Sequence, residues 1–352
     1  MSATLAPPSD TSPSGTSAHR RTSAARRSAW LAVSLVVLGL IGVASITFGA
    51  REIAWSDVVS ALSGNDETLA EAAVAKRIPR TFLAMLVGAA LGVVGAVMQG
   101  LTRNPLADPG LLGITPGASL AVVVGMAFFG LGSPMGFTWV AIGGAAVAAV
   151  FVYVVGSIGR GGATPLKLTL AGAAVSAAFT SLISAVLLPR IDVMDSFRFW
   201  QIGGVGGATA ERTLQVLPFL VVGALLSAAS TTGLNALALG DDLAAGLGER
   251  VVRTRVVAAL GSVTLCGAAT ALAGPIAFVG LVVPHACRLL AGLDHRWLLP
   301  SCAVVGAGLL TLADVLGRVV ARPDEIDVGI LTALIGAPVF IAIVRRQKAR
   351  AL

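Results

Sequence analysis

The residues best placed to do chemistry are concentrated in Ala238–Arg255, which reads ALGDDLAAGLGERVVRTR. Only 12% of the chain is charged, yet this stretch holds two aspartates, a glutamate and three arginines between two apolar runs. We expect two short helices here, Asp241–Ala245 and Glu249–Arg255, hinged at Gly246 and Gly248. Such a jointed, charged surface is suited to docking a soluble partner, and the alternative is an ordinary connecting loop.

Motifs of covalent or metal-dependent catalysis are absent from the sequence, which has no Walker lysine motif, no HExxH and no GxSxG. The three cysteines (Cys266, Cys287, Cys302) lie in or beside apolar runs without metal-ligand spacing, which favours packing over a metal or redox role. His285 and His295 lie near a predicted helix end, where packing or capping is commoner than ligation. We therefore expect no catalytic centre, bound metal or cofactor in this chain.

A second group of charges could bind an acidic partner. Arg77 and Arg80 precede an apolar run, and Arg318 closes another. Asp314 and Arg318 are four residues apart, so we expect them to pair on one helical face. Outward-facing arginines could bind carboxylates through bidentate hydrogen bonds, and the alternative is solvated charge at helix ends.

Two segments are rich in proline and glycine and cannot continue a regular helix. The first predicts a bent helix entrance beside a water-filled pathway, or else a tight turn; its residues include Asn104, Pro105, Pro109, Gly110, Gly113 and Pro116. The second, Pro189–Glu211, predicts a short amphipathic helix over Met194–Trp200 followed by a hinge at Gly203–Gly207. Gly203 and Gly204 could gate a cavity, or the helix could be an aromatic anchor at the membrane interface.

The composition indicates what must position these residues. The chain has 352 residues, is 56% hydrophobic and has a mean hydropathy of +0.88, which excludes an ordinary soluble domain. Apolar runs of about 20 residues predict membrane-spanning helices. The ten predicted spans are Trp30–Ala50, Arg80–Leu101, Leu111–Leu131, Gly136–Ile158, Leu166–Leu188, Leu214–Gly233, Val256–Ala273, Ile276–Ala291, Leu298–Val320 and Val328–Val344.

Small residues are expected to bring these helices together, because lipid gives apolar helices no hydrophobic reason to associate. The 42 glycines include two predicted packing faces. One holds Gly88, Gly92 and Gly95, and the other holds Ala303, Gly306 and Ala307.

The distribution of charge predicts the orientation. Ten spans put both termini on one side, and the basic residues concentrate on that side, which predicts cytoplasmic termini and a cytoplasmic 238–255 stretch. The net charge of +7 therefore indicates membrane topology and not nucleic-acid binding. Residues 1–28 predict a disordered basic cytoplasmic tail, and residues 29–347 the membrane domain. The first apolar run is longer than a signal peptide requires, which favours a retained helix.

Four motifs resemble those of the FecCD/BtuC-type permeases of binding-protein-dependent ABC importers for iron–siderophore complexes, haem and vitamin B12. They are RIPRTFLAMLVGAALGVVGAVMQGLTRNPLADPGLLGITPGA at Arg77–Ala118, ALGDDLAAGLG at Ala238–Gly248, GPIAFVGLVVPHACRLLAGLDHRWLLP at Gly274–Pro300 and DVGILTALIGAPVFIAIVRR at Asp327–Arg346. With the predicted helix count, the resemblance covers essentially everything after Trp30.

The resemblance implies the type II ABC importer permease fold, an all-α polytopic protein of the bacterial inner membrane. It further implies a permease dimer, formed with an identical copy or a paralogue, with two ATPase subunits below and a substrate-binding protein above. By analogy, Arg77, Arg80 and Arg318 would receive glutamates of the binding protein. The residues that would couple to the ATPase are Leu239, Gly240, Asp241, Asp242, Ala245, Gly246, Leu247 and Gly248.

The expected function is therefore uptake of a ferric siderophore driven by ATP hydrolysis on a separate subunit. Haem and cobalamin are alternative substrates within the same resemblance. An alternative of another class is a secondary carrier driven by an ion gradient, although such carriers usually need ionisable groups near mid-membrane. Asp314 is the one clear acid within a predicted span.

Overall fold

The computed structural model describes residues 24–51, 53–64, 67–110, 112–159 and 165–351. Residues 1–23 of the predicted tail lie outside the described residues. The last five residues of that tail, 24–28, belong to the first helix, which begins at Ala24. Within the described residues the chain forms fourteen α-helices and no strand. They are α1 Ala24–Thr47, α2 Trp55–Leu62, α3 Leu69–Thr102, α4 Ile114–Phe129, α5 Pro134–Ser157, α6 Pro165–Leu187, α7 Ile191–Ile202, α8 Ala210–Ala229, α9 Thr231–Leu237, α10 Asp241–Gly246, α11 Val251–Ala273, α12 Val279–Ala291, α13 His295–Val320 and α14 Val328–Ala351.

Ten of these helices match the ten predicted spans. Seven are long and apolar enough to cross a membrane, namely α1, α3, α5, α6, α8, α11 and α13. The other three, α4, α12 and α14, are apolar but shorter. The described part of the chain is thus the predicted all-α polytopic bundle.

Helix α3 lies at the centre and packs most extensively against α13. A Cβ atom added at Gly88 would overlap the backbone of Gly306, and one added at Gly92 would overlap the carbonyl oxygen of Cys302. The two predicted small-residue faces therefore pack against each other, and the helix backbones touch. This close approach replaces the hydrophobic drive that is missing in lipid.

Helix α12 is shorter than the predicted span. The span was predicted to begin at Ile276, but the chain is non-helical through Phe278, whose backbone is left-handed with φ of 67°. The 13 residues of α12 give a length of about 20 Å, less than the hydrocarbon thickness of about 30 Å. The first turn of α12 packs against the C-terminal half of α3, as shown by a Cβ atom added at Gly95, which would overlap the backbone of Gly280.

The two ends of the bundle are named here by their short helices. The α10 end holds α9, α10 and the segment between α3 and α4, and the α7 end holds α2, α7 and the segment between α13 and α14. Helix α7 contains the predicted amphipathic helix and extends it in both directions. The prediction of a separate helix over Glu249–Arg255 is wrong, since Val251 onward is the first part of the long helix α11.

Candidate functional site

Helix α10 forms an exposed knob at its end of the bundle. Gly240 and Gly248 bound it with left-handed backbones, at φ of 108° and 85°, which glycine adopts without steric cost. Ala244 is fully buried and anchors the helix, while Leu239, Leu243 and Leu247 are 58%, 63% and 71% exposed. Asp242, Ala245 and Gly246 are also exposed. The knob thus combines protruding leucines with acidic charge.

Asp241 connects this knob to two spanning helices. Its Oδ1 accepts a hydrogen bond from Arg103 at 3.3 Å, and its Oδ2 accepts one from Arg255 at 2.8 Å. Arg103 caps the C-terminus of α3, and Arg255 lies early in α11. Of the two adjacent aspartates, Asp241 is therefore an internal contact and Asp242 is the more exposed group.

A polar junction next to the knob joins α9 to the start of α13. The Asn235 side chain donates to Asp294 Oδ1 at 2.7 Å and accepts from the His295 backbone N–H at 2.9 Å. Because Asn235 Oδ1 can only accept, its 2.8 Å contact with His295 Nδ1 assigns the proton to Nδ1. His295 is buried, so the prediction of a packed histidine is confirmed for this residue.

Asp294 caps α13 by accepting from the Arg296 N–H at 3.0 Å. Burial acts to raise the pKa of Asp294, but the hydrogen bonds from Arg296 and Asn235 and the nearby arginine charges hold it below its usual range. The carboxylate form is therefore favoured in the folded chain.

The segment after α3 is a compact, internally bonded turn. Asn104 Oδ1 accepts from the Leu106 N–H at 3.0 Å, and Asp108 Oδ1 accepts from the Gly110 N–H at 2.8 Å. The Ser176 hydroxyl donates to the Gly110 carbonyl at 3.0 Å, which ties the turn to α6. Asparagine and aspartate favour turns because their side chains bond the backbone two residues onward.

The remaining residues of this predicted site have well-defined positions. Pro105 is exposed and Pro109 is buried. Gly113 precedes α4 with a left-handed φ of 78°, and Pro116 lies within the first turn of that helix. The local geometry is that of a tight turn, the alternative weighed above.

Gly203 and Gly204 join three helices at the α7 end. The Gly204 N–H donates to the Ala273 carbonyl at 2.9 Å, and the Gly329 N–H donates to the Gly203 carbonyl at 2.9 Å. Gly203 has a φ of 77°, and a Cβ atom there would lie 2.7 Å from the Pro275 oxygen. The predicted hinge is thus a close contact among the ends of α7, α11 and α14.

A charge cluster at the α7 end is centred on Asp314, which has no exposed surface. Arg80 donates to both of its oxygens from Nε, at 3.0 and 3.2 Å, and from Nη2 to Oδ1 at 2.8 Å. Arg318 Nη2 lies 3.0 Å from Oδ2, which confirms the predicted i, i+4 pair. On its outer side Arg80 also binds Glu325 at 2.6 Å. Glu325 was not predicted, because it is 245 residues from Arg80 in sequence.

Two of the three predicted docking arginines fix α1 to the bundle. Arg318 is 1% exposed and donates to the Ser45 and Phe48 carbonyls. Arg77 is buried and donates to the carbonyls of Ile46, Thr47 and Arg51. These carbonyls lie at or just beyond the end of α1, where backbone acceptors lack helical partners. In this conformation the guanidinium groups of Arg77 and Arg318 are therefore turned to the protein interior.

The fold and these surfaces define a polytopic helical membrane protein whose two ends carry different charged sites. Residues 35–346 match the FecCD transport family. The chain is 46% identical over 321 residues to the ferric enterobactin transport system permease protein FepD of Escherichia coli K12, covering 89% of this chain and 94% of FepD. It is 42% identical over 320 residues to the iron(3+)-hydroxamate import system permease protein FhuB of Bacillus subtilis 168, covering 90% of this chain and 83% of FhuB.

A solved structure described as an inward-facing conformation of a metal-chelate type ABC transporter superposes with a TM-score of 0.78 at 28% identity, covering 91% of this chain and 99% of that one. The chain belongs to the FecCD transport family, whose members are ABC transporter permeases.

Proposed function

We propose that this chain is the permease subunit of an ATP-driven importer for ferric siderophore complexes in a bacterial inner membrane. It forms the translocation path in a dimer with an identical copy or a paralogue. Two ATPase subunits bind at the α10 end, and a substrate-binding protein binds at the α7 end. The chain contributes no catalytic residue, cofactor or nucleic-acid contact, and the surrounding lipid is its remaining partner.

The exposed knob at α10 carries this proposal. Three leucines with more than half of their surface exposed are costly in water, and at the end of a spanning bundle they indicate a protein contact. The acidic residues beside them offer a polar rim. A short, rigid helix of this kind fits a cleft on a soluble subunit, as the resemblance implies for the ATPase.

The orientation of the chain in the membrane is inferred from the charges on the side where the knob lies. Arg103, Arg250, Arg253, Arg255 and Arg296 all lie at the α10 end of the chain. Basic residues in short loops favour the cytoplasmic side. This supports cytoplasmic termini and an ATPase on the inner face.

The buried charges favour an external energy source over an ion gradient. Asp314 is held between Arg80 and Arg318, so its carboxylate serves a fixed ion pair. An ion-coupled carrier needs an acid that can lose and regain its cation during the cycle. Among the described residues, Asp314 is the only acid that is fully buried.

The α7 end is the proposed docking site for the binding protein. Arg80 and Glu325 lie on the outer side of the charge cluster, whereas Arg318 pairs with Asp314 inside it and Arg77 binds the end of α1. Docking by Arg77 or Arg318 would require their bonds to α1 to rearrange. The turn after α3 and the Gly203–Gly204 contact remain candidates for the pathway and its gate.

Substitution of Leu243 tests the ATPase contact. A carboxylate at this position cannot enter an apolar cleft without a large desolvation cost, so Leu243→Asp is expected to abolish co-purification of the ATPase. The matched control is Leu69→Asp, since Leu69 is 78% exposed at the opposite end. Equal ATPase recovery with both variants would contradict the contact.

Parallel uptake assays test the substrate. Proteoliposomes with this chain, its ATPase and its binding protein would be offered labelled ferric siderophore, haem and cobalamin. Accumulation of the siderophore complex alone is expected. Accumulation of haem or cobalamin instead would support the importer function and contradict the siderophore as its substrate.

A further inference from the structure

The Asp241 contacts suggest how the knob at α10 is joined to the rest of the permease. We propose that Asp241 is a positioning residue whose carboxylate fixes α10 to α3 and α11, so that a displacement of α10 is passed to both spanning helices. This inference rests on the proposed docking of the ATPase at α10. It assigns the partly exposed Asp241 carboxylate to contacts within the permease, whereas the more exposed Asp242 is available to the partner.

Helix α10 cannot hold its position alone. It has six residues, which give a length of about 9 Å, and helices this short are not stable in isolation. Its links to the chain on both sides are the left-handed glycines Gly240 and Gly248, and Ala244 is its one buried residue. The two bonds of Asp241 therefore supply a directional constraint that packing of one alanine does not.

Arg103 connects the Asp241 carboxylate directly to the end of α3. It is a non-glycine residue in the left-handed region, with φ of 51°, which is uncommon and fixes its backbone direction. Its own N–H donates to the Gly100 carbonyl, and the next N–H donates to the Gln99 carbonyl. The residue that binds Asp241 is thus the closing cap of α3. A Cβ atom at Gly240 would lie 3.7 Å from its guanidinium, so the two segments are in close contact.

Arg255 makes the second connection, at 2.8 Å to the other oxygen of the same carboxylate. It lies on α11, which packs against α3, α5 and α8. Because both arginines share one carboxylate, the ends of α3 and α11 are held together at the knob. Removing the negative charge leaves two neighbouring cations that repel each other.

The same helix α3 carries the outer charge cluster. Arg80 lies on α3 and Arg103 caps its C-terminus, so the two residues are separated by about 35 Å along the helix axis. The contacts of Gly88, Gly92 and Gly95 with neighbouring backbones leave α3 little room to bend independently. Helix α3 therefore links the Asp241 contact to the Asp314 cluster at the other end, and a shift of packed helices is one of the known forms of coupling.

The test compares Asp241→Asn with Asp242→Asn, a nearly isosteric change at two adjacent positions. In the complex with ATPase and binding protein, Asp241→Asn is expected to keep ATPase association while substrate transported per ATP falls about two- to fivefold, the range for the loss of a partly exposed ion pair. Arg103→Gln should reproduce the loss from the other side of the contact. Asp242→Asn is expected instead to weaken ATPase association, because it removes a charge from the acidic rim offered to the partner.

A structural readout on this chain alone separates the inference from the proposed function. Spin labels would be placed at Ala245→Cys on α10 and at Leu293→Cys beside α13, both exposed, and their distance distribution measured in nanodiscs. Asp241→Asn and Arg103→Gln are expected to broaden the distribution, and Asp242→Asn is not. An unchanged distribution in Asp241→Asn, or loss of ATPase association in that variant, would overturn the positioning role. Absence of ATPase binding by the unmodified chain would instead refute the proposed function.

Discussion

Asp314→Asn gives the sharpest test of how the α7 end is held together. The substitution keeps the size of the side chain and removes its charge from between Arg80 and Arg318, whose side chains are 12% and 1% exposed. Breaking a buried ion pair by removing one partner typically costs about 3–5 kcal/mol, because the other charge stays buried without compensation. We expect a loss of unfolding free energy in this range.

Glu325→Gln is the matched control, because Glu325 binds the same arginine at 2.6 Å but is 41% exposed. Ion pairs in contact with solvent contribute about 0–1 kcal/mol. The two acids share Arg80 as a partner, but Asp314 is buried and also pairs with Arg318, so both burial and the second ion pair predict the larger loss for Asp314→Asn.

Reversible unfolding in detergent, followed by circular dichroism with increasing denaturing surfactant, would measure both variants against the unmodified chain. Asp314→Asn combined with Arg80→Met should recover part of the loss, because it removes a stranded charge whose other ion pair is with the exposed Glu325. A loss below about 1 kcal/mol for Asp314→Asn, equal to that of Glu325→Gln, would refute the account of the cluster.

Two further predictions concern helix packing and pH. Gly95→Ala should cost about 1–3 kcal/mol by overpacking, because its Cβ would overlap Gly280, whereas Gly143→Ala, with nothing within 4 Å, should be neutral in the same unfolding assay. Asp294→Ala should cost about 1 kcal/mol at neutral pH through loss of the α13 cap. Because the folded-state pKa of Asp294 is lowered, its contribution is complete above the ordinary carboxyl range and is lost as pH falls through the folded value, so the difference from the unmodified chain should close below about pH 4.

Sequence periodicity was sufficient for the spans and for the small-residue faces of α3 and α13, although it did not show that these two faces pack on each other. The glycines of α3 recur on one helical face, and a matching small face recurs on α13, so both signals are local. The Asp314–Arg318 pair was equally predictable, because residues four apart on a helix are neighbours.

The remaining contacts of the candidate sites join distant parts of the chain. Arg80 meets Asp314 at a separation of 234 residues, and Arg103 meets Asp241 at 138. Nothing local in the sequence indicates that Arg77 and Arg318 donate hydrogen bonds to carbonyls at the end of α1, since an exposed arginine near a helix end has the same local sequence pattern. Burial decides their role, and burial is a property of the assembled bundle.

The break before α12 illustrates a different limit. Its apolar residues continue through Ile276–Phe278, so hydropathy favours a longer helix. Phe278 instead takes a left-handed backbone and the helix starts one residue later. The first turn coincides with a tertiary contact, in which Gly280 meets the backbone of Gly95, and hydropathy does not register such a contact.

The energy source is the central claim, and uptake by proteoliposomes measures it most directly. This chain would be reconstituted with its ATPase and binding protein, and labelled ferric siderophore added in the presence of ATP, in its absence, and with an imposed proton gradient. The account predicts accumulation that requires ATP and is unaffected by a protonophore. Accumulation that follows the ion gradient without ATP would contradict it and identify the chain as a secondary carrier.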